Sequence, residues 1–114
     1  VDMHAEATSE KVAMGWFLDG QVACVIGSHT HVQTADERLL PKGTAYLTDA
    51  GMCGPTESVI GVRPELVIRR FLSHMPTKFE TASGTAIAQG AIVDIDRERG
   101  LATAIRRVQE RVER

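Results

Sequence analysis

The sequence contains few cysteines and no long apolar run. Its two cysteines, Cys24 and Cys53, are too few and too far apart for a zinc knuckle, and we expect both to be reduced, buried thiols. Apolar runs such as residues 22–26 are far shorter than the roughly 20 residues that a membrane helix needs. These features argue against a membrane-spanning helix and predict a cytoplasmic protein.

The sequence also lacks an excess of charge of one sign. Its 13 basic and 15 acidic side chains give a formal net charge of -2 and are mixed along the chain. This pattern provides no basic face for nucleic acid and no cationic amphipathic helix for a membrane surface. We therefore expect neither double-stranded DNA nor a membrane as a partner.

The length of 114 residues suits one compact core and is too short for two ordinary domains. No internal repeat, low-complexity tract or linker interrupts the chain, so we expect no domain boundary within it. The sequence begins with "VDMHAEAT" and not with Met, which is typical of a sequence that starts inside a strand. We therefore expect that residues preceding Val1 are missing from this sequence.

Hydrophobic spacing predicts a first helix in residues 9–20. Val12 with Trp16, and Ala13 with Phe17, lie at the i, i+4 spacing of an amphipathic helix. We expect these side chains to form its buried face.

A second helix is predicted in residues 64–75. Pro64 is tolerated in a first helical turn, and the same i, i+4 spacing relates two apolar pairs. These pairs are Val67 with Phe71 and Ile68 with Leu72.

Three regions of the sequence indicate strands. Residues 21–27 form a short, continuous apolar run that is typical of a central strand covered on both faces, and residues 44–51 indicate another strand. Residues 91–95 and 101–105 flank a five-residue turn at 96–100. The sequence therefore predicts an α/β fold of layered type with a C-terminal antiparallel hairpin.

Two histidines one residue apart follow the predicted central strand. His29 and His31 come directly after Gly27, at the carboxyl end where open α/β sheets place their ligand sites. In extended backbone, residues i and i+2 point the same way, so we expect the two rings to project together. Imidazole suits zinc, iron, manganese or nickel. The alternative interpretation is a pair of ordinary surface or core histidines.

His4 is a third candidate ligand. It stands at a predicted strand-to-helix junction, and parallel strands would bring it near the histidine pair. Glu6 and Asp49 also adjoin predicted strand ends, where they could orient an imidazole, although each could equally be a helix cap or a solvated residue. Other carboxylates with the same two interpretations are Asp2, Asp36 and Glu37. We interpret His74, near a helix end, as a surface residue.

Three segments of the sequence resemble one enzyme family. They are "HAEATSEK" (4–11), "GSHTHVQTADERLLPKGTAYLTDAGMCGP" (27–55) and "SVIG" (58–61). The long middle segment is much richer than the G-H-x-H motif that metallophosphoesterases share in general. Together they resemble the YmdB-like metallophosphoesterases, the bacterial branch that acts on 2′,3′-cyclic nucleotides.

This resemblance implies a four-layered α/β sandwich around a binuclear centre of two divalent metal ions, with iron expected and manganese as the alternative. The ligands that it assigns to this sequence are His4, His29 and His31. The family's aspartate, glutamate and asparagine ligands, and its general-acid histidine, belong to N-terminal motifs that do not occur here. The resemblance therefore implies that residues 1–114 are the C-terminal portion of a single metallophosphoesterase domain and hold no catalytic acid.

The function that the resemblance implies for the complete protein is hydrolysis of 2′,3′-cyclic nucleotides to 3′-nucleotides. The alternative is a non-catalytic, truncated module that self-associates or binds a single metal ion. An exposed strand edge invites pairing with a second copy, so we expect a homo-oligomer.

Overall fold

The computed structural model describes residues 1–112, which form two α-helices and two β-sheets. The helices are α1 (Thr8–Leu18) and α2 (Pro64–Ser73). The strands, in chain order, are β1 (Asp2–His4), β2 (Cys24–Ser28), β3 (Arg38–Leu39), β4 (Ala45–Leu47), β5 (Cys53–Pro55), β6 (Ala86–Asp96) and β7 (Leu101–Val112). The α/β class and the C-terminal antiparallel hairpin are confirmed, and the hairpin strands are longer than the sequence predicts.

The described chain forms two compact units. The first unit comprises residues 1–51 and 89–108, and the second comprises residues 52–88 and 109–112. All three candidate histidines belong to the first unit. That residues 1–114 are the C-terminal portion of one domain stays a prediction.

The first sheet has the strand order β1-β2-β4-β3. Strand β2 runs parallel to both of its neighbours, β1 and β4, so the prediction of a central strand at this position is confirmed. The register places His4 opposite Ser28. Because parallel strands present their carboxyl ends at the same edge, the residues that follow β1 and β2 meet there.

The core of the first unit lies between this sheet and α1. Its buried centre consists of Val25, Leu40 and Tyr46. Helix α1 approaches closely because Gly15 faces the Tyr46 ring, where a Cβ atom would lie only 2.6 Å from a ring carbon. Apolar side chains that are partly buried against this centre are Val12, Met14, Leu18 and Val22.

The buried face predicted for α1 is wrong in part. Trp16 is 50% exposed and Phe17 is 72% exposed, whereas the helix buries Lys11 and Gly15. The close approach to Tyr46 favours a small residue and leaves no room for the large rings on that face. The guanidinium of Arg38 instead lies 5.4 Å from the centre of the Trp16 ring.

The buried face predicted for α2 is wrong for three of its four residues. Val67 is buried, but Ile68, Phe71 and Leu72 are exposed. Helical spacing reveals an apolar stripe without revealing whether this chain supplies anything to cover it. Neither described helix, of 11 and 10 residues, is long and apolar enough to cross a membrane.

The cysteines are both free, as expected, but they differ in burial. Cys24 is half-buried on β2, and this burial raises the pKa of its thiol against a smaller lowering by the N-terminal charge. Cys53 is exposed, so the prediction of a buried thiol is wrong there.

Gly27 gives a testable packing constraint within β2. A Cβ atom on this residue would lie 1.8 Å from the carbonyl oxygen of Thr48 and 2.6 Å from Cδ of Lys11. We expect Gly27→Ala to lower the free energy of unfolding by about 3 kcal/mol, because the backbone carbonyl cannot move away without disturbing the sheet. Urea denaturation measures the change. Gly90→Ala is the matched control, since no atom lies within 4 Å of its added methyl group, and equal midpoints for the two variants would contradict this prediction.

The carboxylate of Asp36 accepts several hydrogen bonds near the end of β4. Its donors are the Thr34 hydroxyl at 2.6 Å, the Thr48 backbone N–H at 3.2 Å and the Thr48 hydroxyl. Burial raises the pKa of Asp36, but these hydrogen bonds to the charged form outweigh it and the pKa is lowered.

We expect the contribution of Asp36 to stability to depend on pH. Because its folded-state pKa lies below the unfolded value near about 4, the contribution is complete above that value and is lost as the pH falls through the folded pKa. Asp36→Asn should therefore lower the free energy of unfolding by about 1 kcal/mol at pH 7 and by less at pH 3. Denaturant titrations at both pH values test this, and an equal loss at both would contradict it.

Candidate metal centre

The structure brings His4 and His29 into direct contact at the carboxyl edge of the parallel sheet. His4 ends β1, and His29 follows the last residue of β2. Nδ1 of His29 lies 2.9 Å from Nε2 of His4, and the two rings meet nearly at right angles with their centres 4.7 Å apart. The expectation that parallel strands bring His4 near the histidine pair is confirmed for His29.

The ring of His4 is oriented by side chains of its own sheet. Its Nδ1 lies 3.1 Å from the Ser28 hydroxyl, which in turn donates a hydrogen bond to Oδ1 of Asp2 at 3.2 Å. Because the hydroxyl proton is directed at Asp2, the oxygen of Ser28 is free to accept the Nδ1 proton of His4. This arrangement leaves the lone pair of His4 Nε2 directed towards His29.

The other nitrogen of His29 contacts a carboxylate. Nε2 of His29 lies 2.6 Å from Oε2 of Glu6, in an ion pair whose side chains are 40% and 83% exposed. Both ring nitrogens of His29 therefore have a partner, Nδ1 facing His4 and Nε2 facing Glu6. Glu6 therefore orients an imidazole, as one of its two sequence interpretations proposed, through a contact so exposed that it contributes little stability.

The backbone at the histidine pair is not extended, so the expected reason for their common direction is wrong. The strand ends at Ser28, and φ is +120° at His29 and +65° at His31. Residues other than glycine rarely adopt such values, which cost of order 1 to 3 kcal/mol and cluster at functional sites. His31 is exposed.

The structure does not assemble a complete metal site from this chain. Within residues 1–112, no three His, Cys, Asp or Glu side chains are grouped so that they could hold a metal ion. Two imidazole nitrogens 2.9 Å apart nevertheless fit one side of such a site, because each could lie about 2.0 to 2.1 Å from a shared ion. The assignments of His4, His29 and His31 as ligands stay predictions.

A buried ion pair beneath the histidines was missed in part by sequence reasoning. Lys11 and Asp49 are both fully buried, with Nζ of Lys11 3.1 Å from Oδ2 of Asp49. The sequence pattern indicated Asp49 as a candidate carboxylate but gave no indication of a role for Lys11. The signal that could have revealed it is its position four residues before Gly15, on the face of α1 that approaches the sheet.

Asp49 keeps its charge in this buried place. Burial raises the pKa of its carboxyl group, but hydrogen bonds from Gly51, Thr30 and Lys11 outweigh this effect and the pKa is lowered. Both of its oxygens already accept hydrogen bonds, Oδ1 from the Gly51 N–H and Oδ2 from the Thr30 N–H, each at 2.9 Å. Asp49 therefore acts on the backbone of the loop that leaves β2, through the Thr30 N–H.

The remaining candidate carboxylates have separate roles. Asp2 reaches the histidines through Ser28, whereas Asp36 binds the threonines near β4. Glu37 forms an ion pair with Arg107 at 2.8 Å, and the interaction with this arginine lowers the pKa of its carboxyl group. His74 follows α2 in the second unit, in a left-handed conformation with φ of +55°.

Comparisons with known proteins show which proteins this chain resembles. The family profile described as YmdB-like protein matches residues 1–108. The chain is 50% identical over 108 residues to a protein of Bacillus subtilis (strain 168) named 2′,3′-cyclic-nucleotide 2′-phosphodiesterase, a match that covers 95% of this chain and 41% of that protein.

Two crystal structures share the fold. A phosphatase from Mycoplasma pneumoniae has a TM-score of 0.93 at 41% identity, covering 99% of this chain and 41% of its own. A hypothetical protein from Thermus thermophilus has a TM-score of 0.91 at 42% identity, covering 97% of this chain and 43% of its own. The chain thus spans about two fifths of the length of these relatives. From the profile match and the identity together, the chain belongs to the YmdB-like protein family.

Proposed function

We propose that the complete protein is a metal-dependent phosphodiesterase that hydrolyses 2′,3′-cyclic nucleotides to 3′-nucleotides. In this proposal His4, His29 and His31 are the ligands that this chain contributes to a binuclear centre of two divalent ions, with iron preferred to manganese. The observation that carries the proposal is the 2.9 Å contact between His4 and His29 at the carboxyl edge of the sheet. The name of the Bacillus subtilis relative supports the substrate class, and the two unpaired cysteines suit a cytoplasmic location.

The side chains around the histidines prepare them for this role. When bound, the two ions would supply a water-derived nucleophile and neutralise charge on the phosphate oxygens. Ser28 and Asp2 hold the His4 ring so that its Nε2 is available, and Glu6 holds the opposite nitrogen of His29. Such partners of ligating imidazoles fix the ring orientation and the position of the proton.

The general acid is assigned to another part of the domain. Hydrolysis at the 2′ oxygen requires a group that protonates this oxygen as it leaves. The resemblance attributes this group, and the remaining metal ligands, to the N-terminal half of the domain. We therefore propose that the activity belongs to the complete domain, with the histidine edge of this chain as one wall of the site.

We expect His29→Ala and His31→Ala in the complete protein to lower metal content and turnover together. Each change removes one imidazole ligand, so bound metal should fall from two ions per chain and turnover should fall at least about 100-fold, in line with the loss of metal-assisted charge stabilisation. Elemental analysis of anaerobically purified protein and hydrolysis of 2′,3′-cyclic AMP measure the two effects.

His74→Ala is the matched control for these variants. His74 and His31 have similar positive φ values, +55° and +65°, so alanine carries a similar backbone cost at both positions. The control should keep its metal and its turnover. Normal metal content in His29→Ala or His31→Ala would contradict the proposed ligand set.

A second candidate function is self-association of a non-catalytic module. Strand β1 is an edge strand of its sheet, with a partner strand on one side only among the residues that the structure describes. The open backbone groups of such an edge can pair with the same strand of a second copy. This observation favours the homo-oligomer that we propose.

Sedimentation velocity tests the self-association. We expect the chain to form dimers as its concentration rises from micromolar to millimolar values. A chain that stays monomeric and folded over this range would exclude pairing through β1, and two bound metal ions per chain in the dimer would favour the enzyme over the non-catalytic module.

A further inference from the structure

The buried ion pair of Lys11 and Asp49 calls for a reason other than stability. Both side chains are fully buried, and Nζ of Lys11 lies 3.1 Å from Asp49 and 3.4 Å from the carbonyl oxygen of Ser28. Removing two charges from water is costly, and apolar side chains of similar volume often give equal or greater stability. The contacts of the pair with the backbone provide a more specific reason.

The two members of the pair hold the two peptide groups on either side of His29. Lys11 donates to the carbonyl oxygen of Ser28, which belongs to the peptide before His29. Asp49 accepts from the N–H of Thr30, at 2.9 Å, which belongs to the peptide after it. Because peptide groups are planar, their orientations define φ and ψ of the residue between them. The pair therefore holds His29 in a conformation, with φ of +120°, that its own residue type disfavours.

The ion pair is itself anchored outside the histidine loop. Lys11 belongs to α1 and passes over Gly27, where a Cβ atom would lie 2.6 Å from its Cδ. Asp49 is fixed by the Gly51 N–H at 2.9 Å, and its backbone forms hydrogen bonds in both directions with Thr34. Because the ion pair is fixed to α1 and to the segment after β4, it can hold the strained backbone conformation of His29.

We propose that Lys11 and Asp49 are positioning residues that hold His29 beside His4, so that its Nδ1 faces the lone pair of the His4 ring. This inference rests on the proposed function for the role of the two rings as metal ligands. The contact between the rings in the metal-free chain is independent of that function.

Two variants, made in the complete protein that contains this chain, separate positioning from stability. Lys11→Met keeps an unbranched side chain but leaves the Asp49 carboxylate without its cation. Lys11→Met/Asp49→Leu removes both charges, so we expect it to be at least as stable as the single variant. Asp19→Asn is the matched control, because Asp19 is also a buried carboxylate that accepts backbone hydrogen bonds, in its case from Lys42 and Thr44.

The first readout is binding of Mn²⁺ by calorimetry, with thermal unfolding of the metal-free chain beside it. We expect both Lys11 variants to bind Mn²⁺ at least about tenfold more weakly, the range typical of partners that orient a ligand. The control should bind within twofold of the original chain, although it is also destabilised. Recovery of Mn²⁺ affinity in the double variant, or an equal loss in the control, would overturn the proposal.

The second readout needs no metal. Nuclear Overhauser effects between the rings of His4 and His29 should be present in the metal-free original chain and absent in the double variant. Their persistence in the folded double variant would overturn the positioning role. If the complete protein shows these effects but binds no Mn²⁺, and the double variant loses them, the positioning role holds and the proposed metal function fails.

Discussion

The buried ion pair of Lys11 and Asp49 is the interaction on which the arrangement of the first unit depends. It joins α1 to the segment that follows β4, and it lies under the loop that leaves β2. Gly27 makes the pair possible because any larger residue would meet both the Thr48 carbonyl and the Lys11 side chain. Charges buried in this way are favourable only when each finds several partners, and Asp49 has three donors around its two oxygens.

Next to this ion pair, a chain of hydrogen bonds fixes the positions of the imidazole rings at the edge of the sheet. It leads from Asp2 through Ser28 to His4, and from His4 through His29 to Glu6. The parallel register brings the strand ends together, and the neighbouring side chains then orient each ring. In the proposed function this arrangement is one wall of a site, and the chain spans about two fifths of the length of its relatives.

The sequence predicted the positions of the helices and strands better than the burial of their side chains. Apolar runs and turns placed β2, both helices and the hairpin, because these depend on local patterns. They did not place Trp16 or Phe71 at the surface, because helical spacing does not say what covers a face. The two-residue spacing of His29 and His31 suggested a common direction, but their positive φ values are not revealed by local pattern, and at His29 the flanking peptides are held by residues distant in the sequence. The role of Lys11 could not be predicted for the same reason, because its partner Asp49 is 38 residues away in the sequence.

In the proposed function, the imidazoles at the carboxyl edge of this sheet bind the metal of a phosphodiesterase. Anomalous X-ray diffraction from crystals of the complete protein, recorded on both sides of the iron and manganese absorption edges, tests this role most directly. We predict two metal peaks, with nitrogens of His4, His29 and His31 each within about 2.3 Å of one of them. Metal peaks that lie away from all three histidines, or a site with no ligand from this chain, would contradict it.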